Sequence, residues 1–297
     1  MAQVARAHAV GRWFDARVPS ASRRPPAGLQ GASVGATCSM GGQCACPHRP
    51  SPELDKVEFD ENGMMKSPAQ DGVMYTGEWS GSLRQGHGTQ VWPDGAKYEG
   101  QWVNDKAQGH GRFVHVDGDI YEGSWLDDKA HGQGTYYHLD GSKYEGQWVE
   151  DKQHGQGIEM WPDGAKYLGQ YENGNKHGTG NFLWADGSMY DGQFHENDIH
   201  GQGQYTWSDG RQYQGQWKKN RMHGKGLFTW SDGRFYDGEY ANDQKEGYGI
   251  FKWPDGRMYK GQWKEGQQHG SGTYVTASGE ERDGEWEDGR RAMWVSP

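Results

Sequence analysis

The chain has 297 residues, including 49 glycines, 15 tryptophans and 16 tyrosines, and only 32% of it is hydrophobic. This share is too small for a conventional aliphatic core, so aromatic side chains must supply most of the buried surface. No stretch approaches the ~20 consecutive apolar residues of a transmembrane helix, so none is predicted.

The net charge of −10 is unevenly distributed. Residues 1–50 contain six arginines and one acidic residue, Asp15, for a net charge of +5, and the remaining residues carry −15. An acidic surface repels phosphate groups, which excludes nucleic acid as a partner and disfavours direct binding of anionic lipid by that part of the chain. All three cysteines precede residue 50. The rest of the chain therefore has no disulfide, which is consistent with a reducing, intracellular setting.

Residues 1–70 are predicted to form a disordered, basic arm. The stretches "SASRRPPAGLQGASVGA" and "CPHRPSPELDK" are rich in proline, glycine, serine and alanine, a composition that does not bury enough apolar surface to fold. Order is expected to begin at Asp71-Gly72.

The stretch "MGGQCACP" at residues 40–47 has the pattern of an N-terminal lipidation signal. If translation starts at Met40, Gly41 becomes open to myristoylation, and Cys44 and Cys46 to palmitoylation. The motif is incomplete, because Ala45 stands where Ser or Thr is usual. Two or three acyl chains anchor a protein stably at a membrane, whereas one does so only marginally.

Three other interpretations of the N-terminal region stay open. In the first, Met40 is an ordinary internal methionine. In the second, the arginine-rich residues 1–24 are a transit peptide. The third is a zinc site built from Cys38, Cys44, Cys46 and His48, although the C-x-C spacing is unusual for such a site.

From Tyr75 onward the sequence repeats every 23 residues without insertion or deletion. A tyrosine opens each unit, glycine follows two residues later and an aromatic residue two after that, as in "YEGQWVEDKQHGQG" at residues 144–157. Such a fixed period is typical of a repeat array, and a group that recurs in every unit is not a single catalytic group. The array is predicted over residues 71–291, followed by a short tail at 292–297. Its units start at residues 75, 98, 121, 144, 167, 190, 213, 236 and 259, with a partial unit at 282.

Each unit is predicted to be a β-hairpin. Apolar and polar residues alternate in "YEGQW", as in a half-buried strand, and a second strand follows in the same unit. The eighth repeat position is mostly Asp, Asn or Gly, residues that tolerate positive φ, and eight copies of the second connection carry Asp-Gly. The predicted fold is all-β, an elongated antiparallel meander that forms a single-sheet, solenoid-like rod. With strands ~4.8 Å apart, the rod would be about 85 Å long.

Aromatic side chains line one face of the predicted sheet, and Gly146 is expected to leave room for a neighbouring ring. Rings of the first strands are predicted to form the structural core, together with the opening tyrosines: Tyr98, Trp102, Tyr121, Trp125, Tyr144, Trp148, Tyr167, Tyr190, Tyr213, Trp217, Tyr236, Tyr259 and Trp263. Tryptophans at the ends of the second strands are predicted to be partly exposed and to form an interaction face: Trp92, Trp161, Trp184, Trp207, Trp230 and Trp253. Because His115 and His138 replace tryptophan in two units, we expect that end to bind less strongly.

The recurring histidines and glycines are expected to be structural. Histidines at the eleventh repeat position recur at ~10 Å, too far apart for two of them to share a metal ion, and are interpreted as turn residues bonded to a neighbouring unit. The GxG steps do not precede a helix, as a nucleotide-binding fingerprint requires. No catalytic residue, metal or cofactor is predicted.

The pattern "YEGQWxxDKxHGQG" followed by "DGxx" resembles the MORN (membrane occupation and recognition nexus) repeat over residues 75–291. Here the turn glycine is mostly Asp or Asn, and Gln85, Gln108 and Glu246 replace the histidine. The resemblance implies an elongated all-β sheet that acts in scaffolding, membrane association or homotypic assembly. Some relatives append a lipid kinase or SET-type methyltransferase domain. No ATP-binding lysine or catalytic-loop motif occurs here, and the few residues after Trp286 leave no room for such a domain.

The sequence therefore predicts a non-enzymatic scaffold that docks protein partners on an aromatic-lined rod. We expect a cytoplasmic protein at the membrane periphery or associated with the cytoskeleton or a cilium, with membrane contact through the N-terminal arm and self-association through the open sheet ends. One alternative is a regulatory module related to phosphatidylinositol phosphate kinases. Another is a phospholipid-binding module, which requires a bounded pocket.

Overall fold

The computed structural model describes residues 58–59, 65–68 and 72–295. It divides into two compact units, with the boundary between Asn175 and Lys176, so that the strand beginning at Asn175 is counted with the C-terminal unit although its first residue precedes the boundary. The N-terminal unit contains β1 (Glu58–Phe59), β2 (Met65–Pro68), β3 (Met74–Ser80), β4 (Leu83–Val91), β5 (Lys97–Val103), β6 (Lys106–Val114), β7 (Ile120–Leu126), β8 (Lys129–Tyr137), β9 (Lys143–Val149), β10 (Lys152–Met160) and β11 (Lys166–Glu172). The C-terminal unit contains β12 (Asn175–Leu183), β13 (Met189–His195), β14 (Asp198–Thr206), β15 (Gln212–Lys218), β16 (Arg221–Thr229), β17 (Phe235–Ala241), β18 (Gln244–Lys252), β19 (Met258–Lys264), β20 (Gln267–Val275), β21 (Glu281–Glu287) and β22 (Arg290–Trp294).

Within each unit, every strand pairs antiparallel with the strand that follows it in the chain. This holds from β1 to β11 in the N-terminal unit and from β12 to β22 in the C-terminal unit. The predicted all-β meander of hairpin repeats is confirmed. The length and stiffness of a continuous rod stay predictions.

The sheet differs from the predicted array at both ends. Strands β1 and β2 lie inside residues 1–70, which were expected to be disordered, and β2 pairs with β3 from Met65↔Gly77 to Pro68↔Met74. This pairing satisfies the backbone groups of β3, which would otherwise be an open edge. At the other end β22 extends to Trp294, beyond residue 291.

From β5 onward, the first connection of each hairpin is a two-residue turn with positive φ at both positions. Between β5 and β6 these residues are Asn104 and Asp105, with φ of 49° and 68°. Two successive left-handed residues define the type I′ turn, whose twist matches that of the flanking strands. The eighth repeat position thus has the backbone conformation that its Asp, Asn and Gly residues predict.

The second connection is longer than the two-residue turn that Asp-Gly usually marks. In the loop after β10, the Trp161 N–H donates to the Ala165 carbonyl and the Gly164 N–H donates to the Trp161 carbonyl, both at 3.0 Å. The Asp163 carboxylate also accepts from the Ala165 N–H at 2.9 Å. The Asp-Gly pair therefore forms the second half of a four-residue turn, with the aspartate closing the loop.

A tyrosine ring covers a pair of glycines in each hairpin. Gly146 of β9 lies opposite Gly157 of β10, and a Cβ placed on Gly157 would come within 2.5 Å of the Tyr144 ring. The ring above Gly146 is therefore that of Tyr144 in the same strand, not one from a neighbouring unit. Close approach of a ring explains glycine at both positions.

The two glycines of the GxG step serve different purposes. A β-bulge shifts the register between His154 and Gly157, and Gly155 in this bulge has a φ of +59°. A left-handed residue in a bulge favours glycine because it has no Cβ to clash. The first glycine permits the bulge and the second makes room for tyrosine.

The core is a layer of rings on one face of each sheet. Tyr144 and Trp148 have centroids 5.2 Å apart and nearly perpendicular planes, and the Trp148 indole N–H donates to the Gly134 carbonyl of the preceding hairpin at 3.1 Å. This hydrogen bond joins adjacent repeats and gives the indole N–H of the buried ring a partner. All first-strand rings that the sequence assigns to the structural core are at most 7% exposed.

Candidate functional site

A continuous row of aromatic rings follows the second strands of the C-terminal unit; we call it the aromatic ladder. Strands β12, β14, β16, β18 and β20 each contribute a phenylalanine or tyrosine, and the residue just after each of the first four strands is tryptophan. The members of the ladder are Phe182, Trp184, Tyr205, Trp207, Phe228, Trp230, Phe251, Trp253 and Tyr274.

Each ring of the ladder contacts the next. Within one hairpin the two centroids are 4.4–4.7 Å apart. Between successive hairpins the step is 5.0 Å at the start of the ladder and lengthens to 6.3 Å between Trp253 and Tyr274. The phenylalanines and Tyr205 are buried, whereas the four tryptophans are half-buried. The ladder therefore presents a row of indole surfaces to solvent.

Arginines fix three of these indoles in place. Each arginine lies four residues after its tryptophan, with Cζ 5.3–5.6 Å from the ring centroid, and its Nε is 2.6–2.7 Å from the aspartate two residues earlier. Guanidinium–indole contacts of this kind are favourable and orient both groups. The pairs are Trp207–Arg211, Trp230–Arg234 and Trp253–Arg257.

Lys245 introduces a positive charge at the middle of the ladder. Its Nζ lies 5.6 Å from the Trp230 centroid and 4.7 Å from that of Phe251, and it also contacts the core rings of Tyr236 and Trp263 at 5.1 and 4.7 Å. Burial among these rings lowers the pKa of Lys245 to about 8. No carboxylate of the described residues forms an ion pair with it, so its charge is balanced only by ring faces.

Polar residues interrupt the same face in the N-terminal unit. Gln90 and Glu159 occupy positions that hold phenylalanine or tyrosine in the ladder, and His115 and His138 occupy tryptophan positions. These substitutions do not leave an open polar surface. The hydroxyl of Tyr171, for example, donates to Glu159 Oε2 at 3.0 Å.

Two aspartates complete the polar network of that unit. Asp119 Oδ2 accepts a hydrogen bond from the Tyr136 hydroxyl at 2.9 Å and lies 3.1 Å from His138 Nδ1. His115 Nδ1 lies 2.8 Å from Asp117 Oδ1. Burial raises the pKa of Tyr136, which keeps its hydroxyl protonated as a donor. The network uses internal partners for groups that would otherwise be available to another protein.

The six tryptophans of the predicted interaction face thus fall into two groups. All six are half-buried, but Trp92 and Trp161 belong to the interrupted face of the N-terminal unit. The other four belong to the aromatic ladder. The predicted lipidation residues Gly41, Cys44 and Cys46, and the alternative zinc ligands, lie outside the described residues.

The recurring histidines lie in strands and not in turns, so that part of their interpretation is wrong. His154, for example, is inside β10 at the bulge. His195 lies between two of them, with its ring centroid 5.0 Å from that of His177 and 5.6 Å from that of His200. Even so, residues 72–295 contain no group of three or more His, Cys, Asp or Glu arranged to hold a metal ion.

The second turn residue has a role that its sequence pattern did not reveal. Its carboxylate or amide oxygen accepts a hydrogen bond of 2.7–2.8 Å from a backbone N–H of the preceding repeat. A requirement for positive φ alone would favour glycine. The excess of Asp and Asn at this position was the available signal. The bonded pairs are Arg84–Asp105, Ala107–Asp128, Ala130–Asp151, Lys176–Asn197, Ile199–Asn220 and Met222–Asp243.

A glutamine in the first strand was also missed. Gln147 Oε1 accepts a hydrogen bond from the Gln156 N–H at 2.8 Å, across the bulge that contains Gly155. Glutamine makes the same bond in three other repeats at 2.7–3.0 Å, and Glu78 takes its place in the first repeat at 2.9 Å. The available signal was the recurrence of glutamine at a solvent-facing position of the first strand. Any polar residue there would maintain the alternation of apolar and polar residues.

The described residues contain no helix with the length and hydrophobicity that crossing a membrane requires. Hairpins with a fixed period and a shared ring-lined face define a β-repeat protein. The model of the MORN repeat family matches nine consecutive segments of the chain, at 75–97, 98–120, 121–143, 144–166, 167–189, 190–210, 213–233, 236–256 and 259–281. The chain therefore belongs to the MORN repeat family.

Comparisons with other known proteins give weaker likenesses. No curated protein matches the chain. Among solved structures, the TCP10 domain of Danio rerio CPAP in complex with a STIL peptide is 12% identical, with a TM-score of 0.42 over 79% of this chain and 99% of that one. The SAS-4 TCP domain of Drosophila melanogaster, in complex with a proline-rich motif of Ana2, is 14% identical, with a TM-score of 0.32 over 62% and 95%. Scores this low do not establish a common fold, so no function is transferred.

Proposed function

We propose that this chain is a non-catalytic scaffold that docks protein partners on the aromatic ladder of its C-terminal unit. One observation carries the proposal: the ladder keeps a row of half-exposed indoles, whereas the equivalent face of the N-terminal unit is interrupted by internal hydrogen bonds. Exposed rows of large rings are characteristic of protein-binding surfaces. The rings and their paired arginines have no arrangement of nucleophile and base that would point to catalysis.

The same proposal places the protein in the cytoplasm at a membrane–cytoskeleton or ciliary structure, with Gly41, Cys44 and Cys46 as lipid attachment sites. Labelling with a myristate analogue tests the attachment. The wild-type protein should carry the label and the Gly41→Ala variant should not; a wild-type protein without label contradicts this part of the proposal.

Site-specific photo-crosslinking in cells tests the docking function. A benzophenone amino acid at Ser231, in the exposed loop beside Trp230, should crosslink to other proteins. The same amino acid at Gln214, exposed on the opposite face of β15, is the matched control. Crosslinks at Ser231 should disappear when Trp207 and Trp230 are both replaced by histidine. Equal crosslinking at both positions, or none at Ser231, overturns the proposal.

A further inference from the structure

The tryptophans of the aromatic ladder recur at a spacing that selects one kind of partner backbone. Centroid steps of 5.0 Å from Trp184 to Tyr205 and 4.5 Å from Tyr205 to Trp207 keep these two tryptophans within about 10 Å of each other. Two antiparallel strands separate equivalent residues, which sets the period at ~9.6 Å. A ligand that lies along the ladder must repeat at nearly this distance to contact every indole.

A polyproline II helix has this repeat. Its three residues per turn rise ~3.1 Å each, which gives ~9.3 Å per turn, so the same edge of the helix meets successive tryptophans. The mismatch accumulates to about 1 Å over the four tryptophans. An extended strand spans the same distance in three residues, but it turns alternate residues to opposite sides. An α-helix covers it in about 1.8 turns, which moves its contact edge away from the next indole.

The surface chemistry agrees with the spacing. Proline-rich segments dock on aromatic-lined grooves, because the preformed polyproline II helix loses little entropy on binding. In the ladder the guanidinium of Arg211 and its ion pair with Asp209 at 2.7 Å hold the Trp207 indole in position. Flat indole faces of fixed orientation are what a rigid helix of pyrrolidine rings requires.

Charge adds one further requirement. The arginines of the ladder are neutralised by aspartates, whereas Lys245 lies among four rings without a carboxylate partner in the described part of the chain. A cation in this situation gains from an incoming anion, since the surrounding rings exclude water and strengthen the attraction. The ligand should therefore bring a carboxylate to the segment between Trp230 and Trp253.

We propose that the aromatic ladder binds a proline-rich segment of a partner protein in the polyproline II conformation, with prolines at every third residue against the four tryptophans and a carboxylate beside Lys245. This inference rests on the proposed docking function and specifies the chemistry of the partner.

Binding of synthetic peptides to the full-length protein tests the inference. The probe is a fluorescent dodecapeptide with proline at every third position and one glutamate. Its matched control has the same length and composition, with the four prolines moved to positions that break the three-residue spacing. By fluorescence anisotropy the first peptide should bind at least ten-fold more tightly. Equal affinities, or no binding by the first peptide, overturn the inference.

Variants locate the binding and its charge. Trp207→His and Trp230→His should each weaken the first peptide at least ten-fold; histidine is chosen because His115 and His138 occupy the same repeat position in a folded unit. Leu227→Ala, on the opposite face of β16, should leave the affinity unchanged. Lys245→Met should weaken the glutamate peptide more than its glutamine counterpart. If the tryptophan variants bind normally, the ladder is not the site.

The two proposals fail in different ways. Crosslinks at Ser231 combined with equal peptide affinities overturn the polyproline inference and leave the docking function standing. Absence of crosslinks in cells overturns the docking function, whatever the peptides show.

Discussion

At the scale of single residues, Asp151 shows how one side chain combines a turn conformation with a bond between repeats. It has a φ of 66° in the turn after β9, and its Oδ1 accepts a hydrogen bond from the Ala130 N–H at 2.8 Å. Its Oδ2 is buried and has no hydrogen-bond partner among the described residues. Burial raises the pKa of Asp151 to about 6, although the bond from Ala130 opposes the shift.

This pKa predicts the pH dependence of an Asp151→Asn variant. The folded state holds the proton more tightly than the unfolded chain, whose pKa is about 3.9. The contribution of Asp151 to stability is therefore present below about pH 4 and is lost as pH rises through about 6. Asparagine keeps the acceptor oxygen without a charge. In urea unfolding, the midpoint of the variant should exceed that of wild type at pH 7, and the difference should shrink at pH 4.

Asn220 offers the reverse experiment. It accepts the equivalent bond from the Ile199 N–H at 2.7 Å, and its amide donates to Asp198 Oδ1 at 2.6 Å. Asn220→Asp should lower the unfolding midpoint at pH 7 and have a smaller effect at pH 4. If either substitution changes stability by the same amount at both pH values, buried charge at this turn position is not the cause.

At the scale of the hairpin, Gly157 lies directly under a tyrosine ring. A methyl group there would meet the Tyr144 ring and hydroxyl at 2.5 Å. The ring does not move away readily, because its hydroxyl donates to the Gln147 carbonyl at 2.9 Å and Trp148 packs against its face. Gly157→Ala should therefore destabilise the protein by about 1–3 kcal/mol, as overpacking in a core does.

A neighbouring residue gives the control for this prediction. Gln156→Ala alters the same strand at an exposed position, so its effect should be within about 0.5 kcal/mol of wild type. Thermal unfolding of the two variants measures the difference, and hydrogen exchange should show faster exchange in β9 and β10 only for Gly157→Ala. Equal midpoints would mean that the ring accommodates the methyl group.

The hairpin also shows which features the sequence could predict. Alternation in "YEGQW" indicated the strand, and its recurrence indicated the meander. The β-bulge at Gly155 was not predicted, because it depends on a hydrogen bond from Gln156 to Gln147 across the hairpin. Because the bulge was not predicted, it also could not be predicted that the Tyr144 ring covers glycines of its own hairpin.

The candidate site was predictable only in part, for a related reason. All six tryptophans of the predicted interaction face occupy the same repeat position, so the sequence pattern did not distinguish them. Whether the row continues depends on a second position, where Glu159 interrupts it in one unit and Phe228 continues it in the other. The position of Lys245 in the site was not predicted, because it depends on contacts with four rings that belong to three different strands and a loop.

At the scale of the whole molecule, the repeat contacts predict that units are interchangeable. The indole of Trp148 donates to the Gly134 carbonyl and that of Trp102 to the Gly88 carbonyl, both at 3.1 Å. The two bonds occupy the same repeat positions, and stability in such arrays comes mainly from contacts between neighbours. Removing whole units should therefore create a junction that resembles a native one.

Deleting residues 98–143 removes two whole units and joins Lys97 to Tyr144, as Lys143 precedes Tyr144 in the native chain. Trp148 would then meet Gly88, and Asp151 would take the place of Asp105 beside Arg84, where the native ion pair measures 3.1 Å. The variant should keep its β-sheet circular dichroism and unfold cooperatively.

Deletion of residues 98–131 is the matched comparison, because it removes about one and a half units. The second strand of one hairpin then takes the place of the first strand of another. The alternation of inward and outward side chains is then lost at the junction, and rings that should be buried face water. This variant should lose cooperative unfolding. If both deletions behave alike, the 23-residue period does not determine how the hairpins pack.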